Sequence, residues 1–415
     1  MTDLMEFNSY TPRSKRKYGG ANGVKIGILI ENEPYLLKIY KNVSTWNGKN
    51  LCFSEYIGCK IFESYGMTAQ QTILGEYITD QGDVYPAIAC KDFCTEGYQL
   101  SEFFKTKNSI LESSENGNGT ELNNILLAIN EQQDLDSNLL SNFFWDQFIV
   151  DALIGNYDRH NGNWGFLENE NNMDCKIAPI YDCGSSLFAK LGKEVWENAL
   201  KNASGGIAYI CKNSFSAIKN EDKTPIVYSK FLNNCLYNDC IEALSRYESK
   251  SNLLNTYLDI IEKTPGLDNF RKDFYSKVID YRHNQILLGA TNKLETLTND
   301  NNIDYLKMYY FRLNNILNEV VEPIDSELSI KYKQRYKQLL QNSINQKAVG
   351  TANLDAVVVS ELQTKQNKKE LQQIIYDFSP NCFDDQNYVQ KVMCKAKAII
   401  NNSEKIKNNI FLKRR

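Results

Sequence analysis

Apolar and polar positions alternate along two short runs near the start of the chain, and this pattern predicts a β-hairpin. Val24 to Glu31 places three isoleucines on one face of a strand, and Tyr35 to Tyr40 forms a second strand after a turn. Two further β-compatible runs, Gln70 to Tyr77 and Val84 to Cys90, are separated by the turn-forming sequence Thr-Asp-Gln-Gly. Four strands are therefore expected before residue 93.

A helix is predicted between these two pairs of strands. Apolar residues recur at helical spacing from Ile57 to Tyr65, Ser54 is a residue type favoured at the N-cap, and Gly66 stands where a C-terminal glycine belongs. The expected order is β-β-α-β-β. Glu55 then lies in the first turn, where the helix dipole favours an acidic side chain, and pairing with Lys38 is the alternative use.

The pattern becomes mainly helical from about Leu100. Ser137 to Asn156 carries a broad apolar face and predicts the strongest helix, which is followed by a hairpin from about Trp164 to Ile180 and by more helices. The fold class predicted is α+β. The expected parts are a flexible N-terminal arm (1–17), a β-rich lobe (18–93), a mainly helical lobe (94–290) and a C-terminal helical extension (291–415).

Composition supports a globular protein with a sizeable core, since 42% of the 415 residues are hydrophobic and 24% are charged. The net charge of -4 argues against a protein that coats nucleic acid, so no direct nucleic-acid binding is expected. No apolar run approaches the roughly 18 residues of a membrane span, and the first residues lack the features of a signal peptide. A cytoplasmic protein without membrane attachment is expected.

Cysteine and histidine usage narrows the chemistry further. The eleven cysteines are odd in number, and their closest pairs lack C-x-x-C spacing, so reduced, buried thiols are expected rather than disulfides or a zinc site. The two histidines, His160 and His283, exclude a histidine-rich zinc enzyme. A Ser-His-Asp hydrolase is disfavoured because the chain has no G-x-S-x-G sequence.

A pair of polar residues with kinase-loop spacing follows the strongest predicted helix. Asp158 and Asn163 lie in the sequence Tyr-Asp-Arg-His-Asn-Gly-Asn, which has D-x-x-x-x-N spacing. In phosphoryl transfer one carboxylate orients or deprotonates the attacking hydroxyl, and a neutral oxygen ligand nearby reaches a magnesium ion that bridges the phosphates. Asp158 is the candidate for the first role and Asn163 for the second, and a network of Asx turns is the alternative.

Two charged residues flank this loop in the order that phosphoryl transfer requires. Asp182 follows the second predicted hairpin and precedes a Cys-Gly pair, so it stands where a D-F-G element carries its metal-binding aspartate. Lys38 lies mid-strand between apolar and aromatic neighbours, as the phosphate-binding lysine of a kinase does. An edge-strand lysine facing water is the alternative for Lys38.

Two backbone segments are candidates for nucleotide binding. A glycine-rich run before the first strand would bring backbone N–H groups close to phosphates, although it matches neither a P-loop nor the kinase glycine motif and also fits a simple loop. It comprises Gly19, Gly20, Ala21, Asn22 and Gly23. Ala89 to Phe93, which includes Cys90, lies where the chain leaves the sheet and is a candidate adenine hinge.

The sequence resembles the HipA-like protein kinases, including the CtkA-type branch, from about Tyr18 to Leu288. The resemblance is carried by Tyr-Gly-Gly-Ala with Lys25, Tyr-Leu-Leu-Lys at 35–38, Cys-Lys-Asp-Phe at 90–93, the loop with Asp158, and Ala-Pro-Ile-Tyr-Asp at 178–182. It implies a two-lobed protein-kinase-like fold, ATP and Mg²⁺ as cofactors, and phosphorylation of Ser/Thr in a protein substrate. A toxin or virulence role and a cognate inhibitor or antitoxin protein are further implications.

The resemblance also implies roles for individual residues. Asp158 would be the base, His160 would order the loop, and Lys38 would bind phosphate, while Asn163 and Asp182 would hold the metal. HipA proteins carry a phosphorylatable serine at the glycine-rich loop, near the place of Tyr18. The candidates for autophosphorylation in this chain are Ser9, Thr11, Ser14 and Tyr18.

Two other functions fit parts of the same pattern. A nucleotide-sensing or partner-binding module would keep the fold without turnover, and the intact lysine, aspartate and asparagine positions argue against it. A lipid or small-molecule kinase is suggested by weaker similarity to phosphatidylinositol kinases at Asp158-Arg159-His160. The absence of a conspicuous basic amphipathic helix beside the core makes a lipid substrate less favoured.

Overall fold

The computed structural model describes residues 4–8, 24–111, 115–169, 171–202, 205–220, 222–235 and 237–292. The chain divides into two units, Met1–Asn292 and Lys293–Arg415, and every described residue belongs to the first. The glycine-rich run at 19–23, the four autophosphorylation candidates and nearly all of the predicted C-terminal extension lie outside the described residues.

A five-stranded sheet forms the first part of the described fold, in the order β1-β4-β5-β3-β2. Its strands are β1 (Met5–Glu6), β2 (Val24–Ile30), β3 (Glu33–Ile39), β4 (Thr72–Ile78) and β5 (Val84–Lys91). All neighbours are antiparallel except β1 and β4. The predicted hairpin and the later pair of strands are therefore confirmed.

Side chains along β3 alternate between the two faces of the sheet, one of which is packed in the apolar core. Leu37 and Ile39 belong to a buried apolar cluster with residues of β2 and β5. Because successive side chains of a strand point to opposite faces, Lys38 projects from the other face of the sheet. Lys25 of β2 is in register with Lys38 and projects from the same face.

The prediction of a flexible arm over residues 1–17 is wrong at the start of the arm, because Met5 and Glu6 form an edge strand beside β4. The N–H of Phe7 donates to Glu76 O at 3.0 Å, and its buried ring joins the apolar cluster. Gly75 permits this approach, since a Cβ atom there would lie 2.1 Å from Met5 O. Burial of one aromatic ring thus anchors a segment that its polar neighbours made look unstructured.

Helix α1 (Thr45–Tyr65) connects the two halves of the sheet and is longer than predicted. The side chain of Ser44 caps its first turn by accepting from the Asn47 N–H, and Gly66 ends it at a φ of 106°. The predicted N-cap Ser54 is wrong, because Ser54 lies buried in the helix interior. Polar residues and a glycine in the first turns hid the true start from a search for apolar periodicity.

The rest of the described chain is mainly helical, and it also carries a three-stranded sheet of order β6-β7-β8 and a two-stranded sheet of β9 and β10. These strands are β6 (Gln99–Glu102), β7 (Gly165–Asn169), β8 (Asp174–Ile177), β9 (Phe215–Lys219) and β10 (Pro225–Val227). The helices are α2 (Phe103–Leu111), α3 (Leu122–Glu131), α4 (Ser137–Ile154), α5 (Lys193–Lys201), α6 (Gly206–Lys212), α7 (Tyr228–Leu232), α8 (Asn238–Glu248), α9 (Leu254–Glu262) and α10 (Asn269–Tyr281).

Helix α4 is the strongest predicted helix, and it delivers the chain to the Asp158 loop. Its N-cap Asp136 accepts from the Leu139 N–H, and its C-cap Gly155 adopts a φ of 66°, which turns the chain sharply. Most of the last three turns is buried. Among the described helices, none is long and apolar enough to cross a membrane.

Candidate active site

Lys38 lies between two carboxylates that come from different parts of the fold. Its Nζ is 3.0 Å from Glu55 Oε1 in α1 and 2.9 Å from Asp182 Oδ1, which follows β8. The Lys38 side chain is 7% exposed and that of Glu55 is fully buried, whereas that of Asp182 is 41% exposed. The sheet lysine therefore does not face water, and the Lys38–Glu55 pairing considered from sequence is present.

The charges of this cluster stabilise one another. Burial alone would lower the pKa of Lys38, but Asp182 and Glu55 outweigh it and raise that pKa well above its usual range. The ammonium of Lys38 in turn lowers the pKa of Asp182 to about 2. Burial and then repulsion from Lys38 lower the pKa of Lys25. Lys38 is thus cationic and Asp182 anionic at neutral pH.

The Asp158 loop is held by hydrogen bonds between its own residues. Asn156 Oδ1 accepts from the Asp158 N–H at 3.0 Å, and Asn163 Nδ2 donates to Asp158 O at 2.8 Å. His160 Nδ1 accepts from the Gly162 N–H at 3.0 Å, so this exposed histidine orders the turn. These are local turns of the kind proposed as the alternative, and they fix the carboxylate and amide in one loop.

Arg159 joins this loop to α4 and to the segment that carries Asp182. Its Nε donates to Asp151 Oδ2 at 2.9 Å, deep in the protein, and its Nη1 donates to Asn163 O at 2.8 Å and also to Tyr181 O. Burial raises the pKa of Asp151, although Arg159 acts in the opposite direction. One guanidinium therefore sets the spacing between the two candidate metal ligands, Asn163 and Asp182.

Ser185 makes a second connection between these segments. Its Oγ donates to Asp158 Oδ2 at 3.3 Å, and its carbonyl oxygen accepts from the Tyr157 N–H at 3.3 Å. Asp182, three residues before Ser185, has a φ of 56°, in the left-handed region that non-glycine residues seldom adopt. This tight turn sends the chain back towards the Asp158 loop immediately after the candidate metal ligand.

The candidate hinge lies beside the cluster rather than apart from it. Cys90 is fully buried in β5, where Leu36 and Thr72 are its partners on the two sides, and its thiol is 4.0 Å from Glu55 Oε1. Burial raises the pKa of this thiol to about 12. Phe93 follows the strand, and its ring packs 5.7 Å from that of Tyr181.

Sequence reasoning missed Asp151, Arg159 and Ser185 as parts of this site. Asp151 is an acidic residue inside the otherwise apolar last two turns of α4, and Arg159 stands between two candidate residues, so a buried charge pair was the available signal. The position of Ser185 carries no comparable signal, because the bond to Asp158 exists only after the turn at Asp182 forms.

No protein-family model matches the chain. The serine/threonine-protein kinase CtkA of Helicobacter pylori is 38% identical over 279 residues, which is 66% of this chain and 83% of that protein. The crystal structure of this Helicobacter pylori proinflammatory kinase superposes with a TM-score of 0.64 at 36% identity, covering 70% of this chain and 98% of that chain. The predicted two-lobed kinase-like fold is therefore confirmed for the described part.

A toxin–antitoxin complex of Shewanella oneidensis MR-1, HipA with HipB and operator DNA, matches at 14% identity with a TM-score of 0.43 over 69% of each chain. The likeness to CtkA is much stronger, and it extends over most of that protein. The chain belongs to the same family of serine/threonine protein kinases as CtkA.

Proposed function

We propose that this protein transfers the γ-phosphoryl group of ATP, with Mg²⁺, to serine or threonine hydroxyls of a protein substrate. The observation that carries the proposal is the convergence of Lys38, paired with Glu55 and Asp182, on a loop that presents Asp158 and Asn163. The protein substrate is inferred from the likeness to a serine/threonine-protein kinase.

The donor set suits a hard divalent cation. Asp182 is ionised at neutral pH and its side chain is 41% exposed, so a carboxylate oxygen remains accessible for ligation. Asn163 commits Nδ2 to Asp158 O, which leaves its amide oxygen as the atom for a metal. Mg²⁺ bound there would neutralise charge on the β- and γ-phosphates during transfer.

The protein side chains have separate roles in the transfer. Lys38, held by Glu55, donates to phosphate oxygens, and the Asp158 carboxylate orients the substrate hydroxyl and accepts its proton. His160 acts through the loop, since it contacts the Gly162 N–H. Cys90 and Phe93 belong to the proposed adenine hinge, with the Cys90 thiol 4.0 Å from Glu55 Oε1. The glycine-rich run at 19–23 lies outside the described residues and is proposed from its sequence alone as a phosphate-binding segment.

The test is transfer of labelled phosphate from ATP to the protein itself and to proteins of a cell extract. Asp158→Asn and Asp182→Asn should each lower transfer by about 100-fold or more. Asp273→Asn removes an exposed carboxylate in α10 and should have no effect. Labelling that survives both active-site changes would overturn the proposal. Labelling confined to lipids or sugars would show that the substrate is not a protein.

A narrower proposal is a toxin or virulence role with autophosphorylation and a cognate antitoxin protein, and it rests on family membership. Induced expression should then arrest growth of a bacterial host, and Asp158→Asn should abolish the arrest at equal protein level. Growth arrest by both forms would count against a kinase-dependent toxin. Mass spectrometry of the purified protein would detect phosphate on Ser9, Thr11, Ser14 or Tyr18.

A further inference from the structure

Helix α1 runs along the segment 183–191, which follows Asp182, and bonds to it at its N-terminal end. Trp46 Nε1 donates to Leu191 O at 3.1 Å, and Asn47 Nδ2 donates to Lys190 O at 2.9 Å. Both acceptors are backbone carbonyls, so these bonds depend on the path of the segment and not on its side chains.

The contact continues along the helix in antiparallel order. Ser54 Oγ donates to Ser186 O at 3.0 Å in the buried interior. One turn later, Gly58 lies so close to Cys183 that a Cβ atom at position 58 would be 2.6 Å from the Cys183 Cβ. Positions 47, 54 and 58 are separated by seven and four residues, so they lie on one face of the helix.

This face adjoins the residue that pairs with the catalytic lysine. Glu55 follows Ser54 directly, and a Cβ atom on Gly184 would lie 3.0 Å from Glu55 Oε2. The segment therefore packs against one carboxylate oxygen of Glu55, Oε2, while Lys38 pairs with the other, Oε1. A shift of α1 away from the segment would lengthen the Lys38–Glu55 pair.

We infer that Trp46, Asn47 and Ser54, here called the α1 strap, are positioning residues that hold Glu55 against Lys38 during phosphoryl transfer. The inference rests on the proposed function and goes beyond it, because it states how α1 is kept in the active arrangement. All three strap bonds end on backbone carbonyls of the segment 183–191, so they couple the position of α1 to the path of that segment.

The N-terminal end of the strap is anchored to the helical region. The guanidinium of Arg271 lies 4.0 Å from the centroid of the Trp46 ring, and its Nε donates to Asn50 Oδ1 at 2.7 Å. The ring of Trp196 also packs against that of Trp46, edge to face, with the ring centroids 5.1 Å apart. Trp46→Phe would keep an aromatic ring for Arg271, but it would remove the indole N–H and part of the ring surface that packs against Trp196 and Phe270. Ser54→Ala removes a strap bond without changing an aromatic contact.

The kinetic test combines the strap with Glu55 in a double-mutant cycle. Trp46→Phe with Ser54→Ala should lower kcat about 10-fold, with a smaller change in the KM for ATP, since the bonds act on lysine alignment. In a variant that already carries Glu55→Gln, the same two substitutions should lower kcat less than about 3-fold, because the strap acts through Glu55. Ser64→Ala removes a serine hydroxyl that bonds within α1 and should leave both values unchanged.

Hydrogen exchange measured by mass spectrometry gives a readout independent of turnover. The strap variant should exchange about 10-fold faster at 46–58 and 183–191 than wild type and Ser64→Ala do. Unchanged exchange, or equal losses of kcat with and without Glu55, would overturn the inference. If the wild-type protein shows no phosphoryl transfer, the proposed function fails. Hydrogen exchange then still tests whether the α1 strap holds the helix against the segment 183–191. If the double variant does not fold, the single variants Trp46→Phe and Ser54→Ala replace it, and each should lower kcat about 3-fold.

Discussion

Lys38 and Asp182 are 144 positions apart in the sequence, yet Nζ and Oδ1 lie 2.9 Å apart. This ion pair joins the strand lysine to the residue that follows the second hairpin. It also keeps the Asp182 carboxylate charged far below neutral pH, because the ammonium lowers its pKa to about 2. Two residues of the phosphoryl-transfer pattern are thus coupled directly to each other.

The pair predicts a specific dependence of stability on acid. The ordinary pKa of this carboxyl is 3.8 and the folded value is about 2, so the unfolded chain binds the proton more readily between these values. The stabilisation is present above about pH 4 and is lost as pH falls towards 2. Asp182→Asn should therefore show a smaller fall in unfolding free energy over this window, measured by urea titration. An unchanged slope would contradict the pairing, and Asp273→Asn serves as the control.

The sequence predicted the components that repeat a regular pattern. Lys38 is identifiable because strand alternation places it opposite Leu37 and Ile39, and Asp158 because a strongly apolar helix ends just before it. The setting of Glu55 was not predictable in the same way. Its helix starts with a capped polar turn, which apolar periodicity does not detect, so the sequence predicts Glu55 in the first turn and not in the buried interior of the helix.

The remaining parts of the site depend on contacts between distant segments. Arg159 reaches Asp151 across the end of α4 and the carbonyl of Tyr181 beyond the hairpin, and Trp46 reaches Leu191. Such partners are fixed by tertiary packing, and a single sequence carries no periodic signal for them. The same holds for Met5 and its neighbours, whose edge strand is stabilised by burial of an aromatic ring against the sheet.

Arg159→Lys should lower kcat about 10- to 100-fold, because lysine keeps the charge but loses the planar fork that bonds both Asp151 and the loop carbonyls. Unfolding free energy should fall by about 2–4 kcal/mol, since the buried Asp151 carboxylate keeps only part of its hydrogen bonding. Steady-state kinetics and urea unfolding measure the two effects. Arg246→Lys changes a partly exposed pair with Asp146 and should cost less than about 1 kcal/mol. Equal effects of Arg159→Lys and Arg246→Lys would contradict the conclusion that Arg159 joins the Asp158 loop to α4 and to the segment before Asp182.

Ser185→Ala should lower kcat about 3- to 10-fold with little change in the KM for ATP, because the hydroxyl that bonds Asp158 Oδ2 would be lost. Ser185→Thr keeps a hydroxyl and should restore most of the rate. Ser109→Ala removes an exposed hydroxyl that bonds Thr106 O and is the matched control. A rate for Ser185→Ala equal to that of wild type would show that Asp158 is oriented by other groups.

Gly58→Ala tests the closest approach between α1 and the segment after Asp182. Alanine is the better helix former by about 1 kcal/mol, so helix propensity alone predicts a more stable protein. The added methyl would lie 2.6 Å from the Cys183 Cβ, inside van der Waals contact, and a Cβ atom can move away only if its own backbone shifts. We therefore expect lower stability by about 1–3 kcal/mol. Displacement of α1 should also lower kcat about 10-fold, because Glu55 moves with the helix.

Gly289→Ala is the matched control for this change, because it lies in a helical segment where a Cβ atom would approach nothing closer than 3.8 Å. That variant should be neutral or more stable by up to about 1 kcal/mol, with an unchanged rate. Thermal unfolding and steady-state kinetics of the two variants separate propensity from packing. If Gly58→Ala were as stable and as active as Gly289→Ala, the helix and the segment would have room to separate, and contact at Cys183 would not fix the position of Glu55.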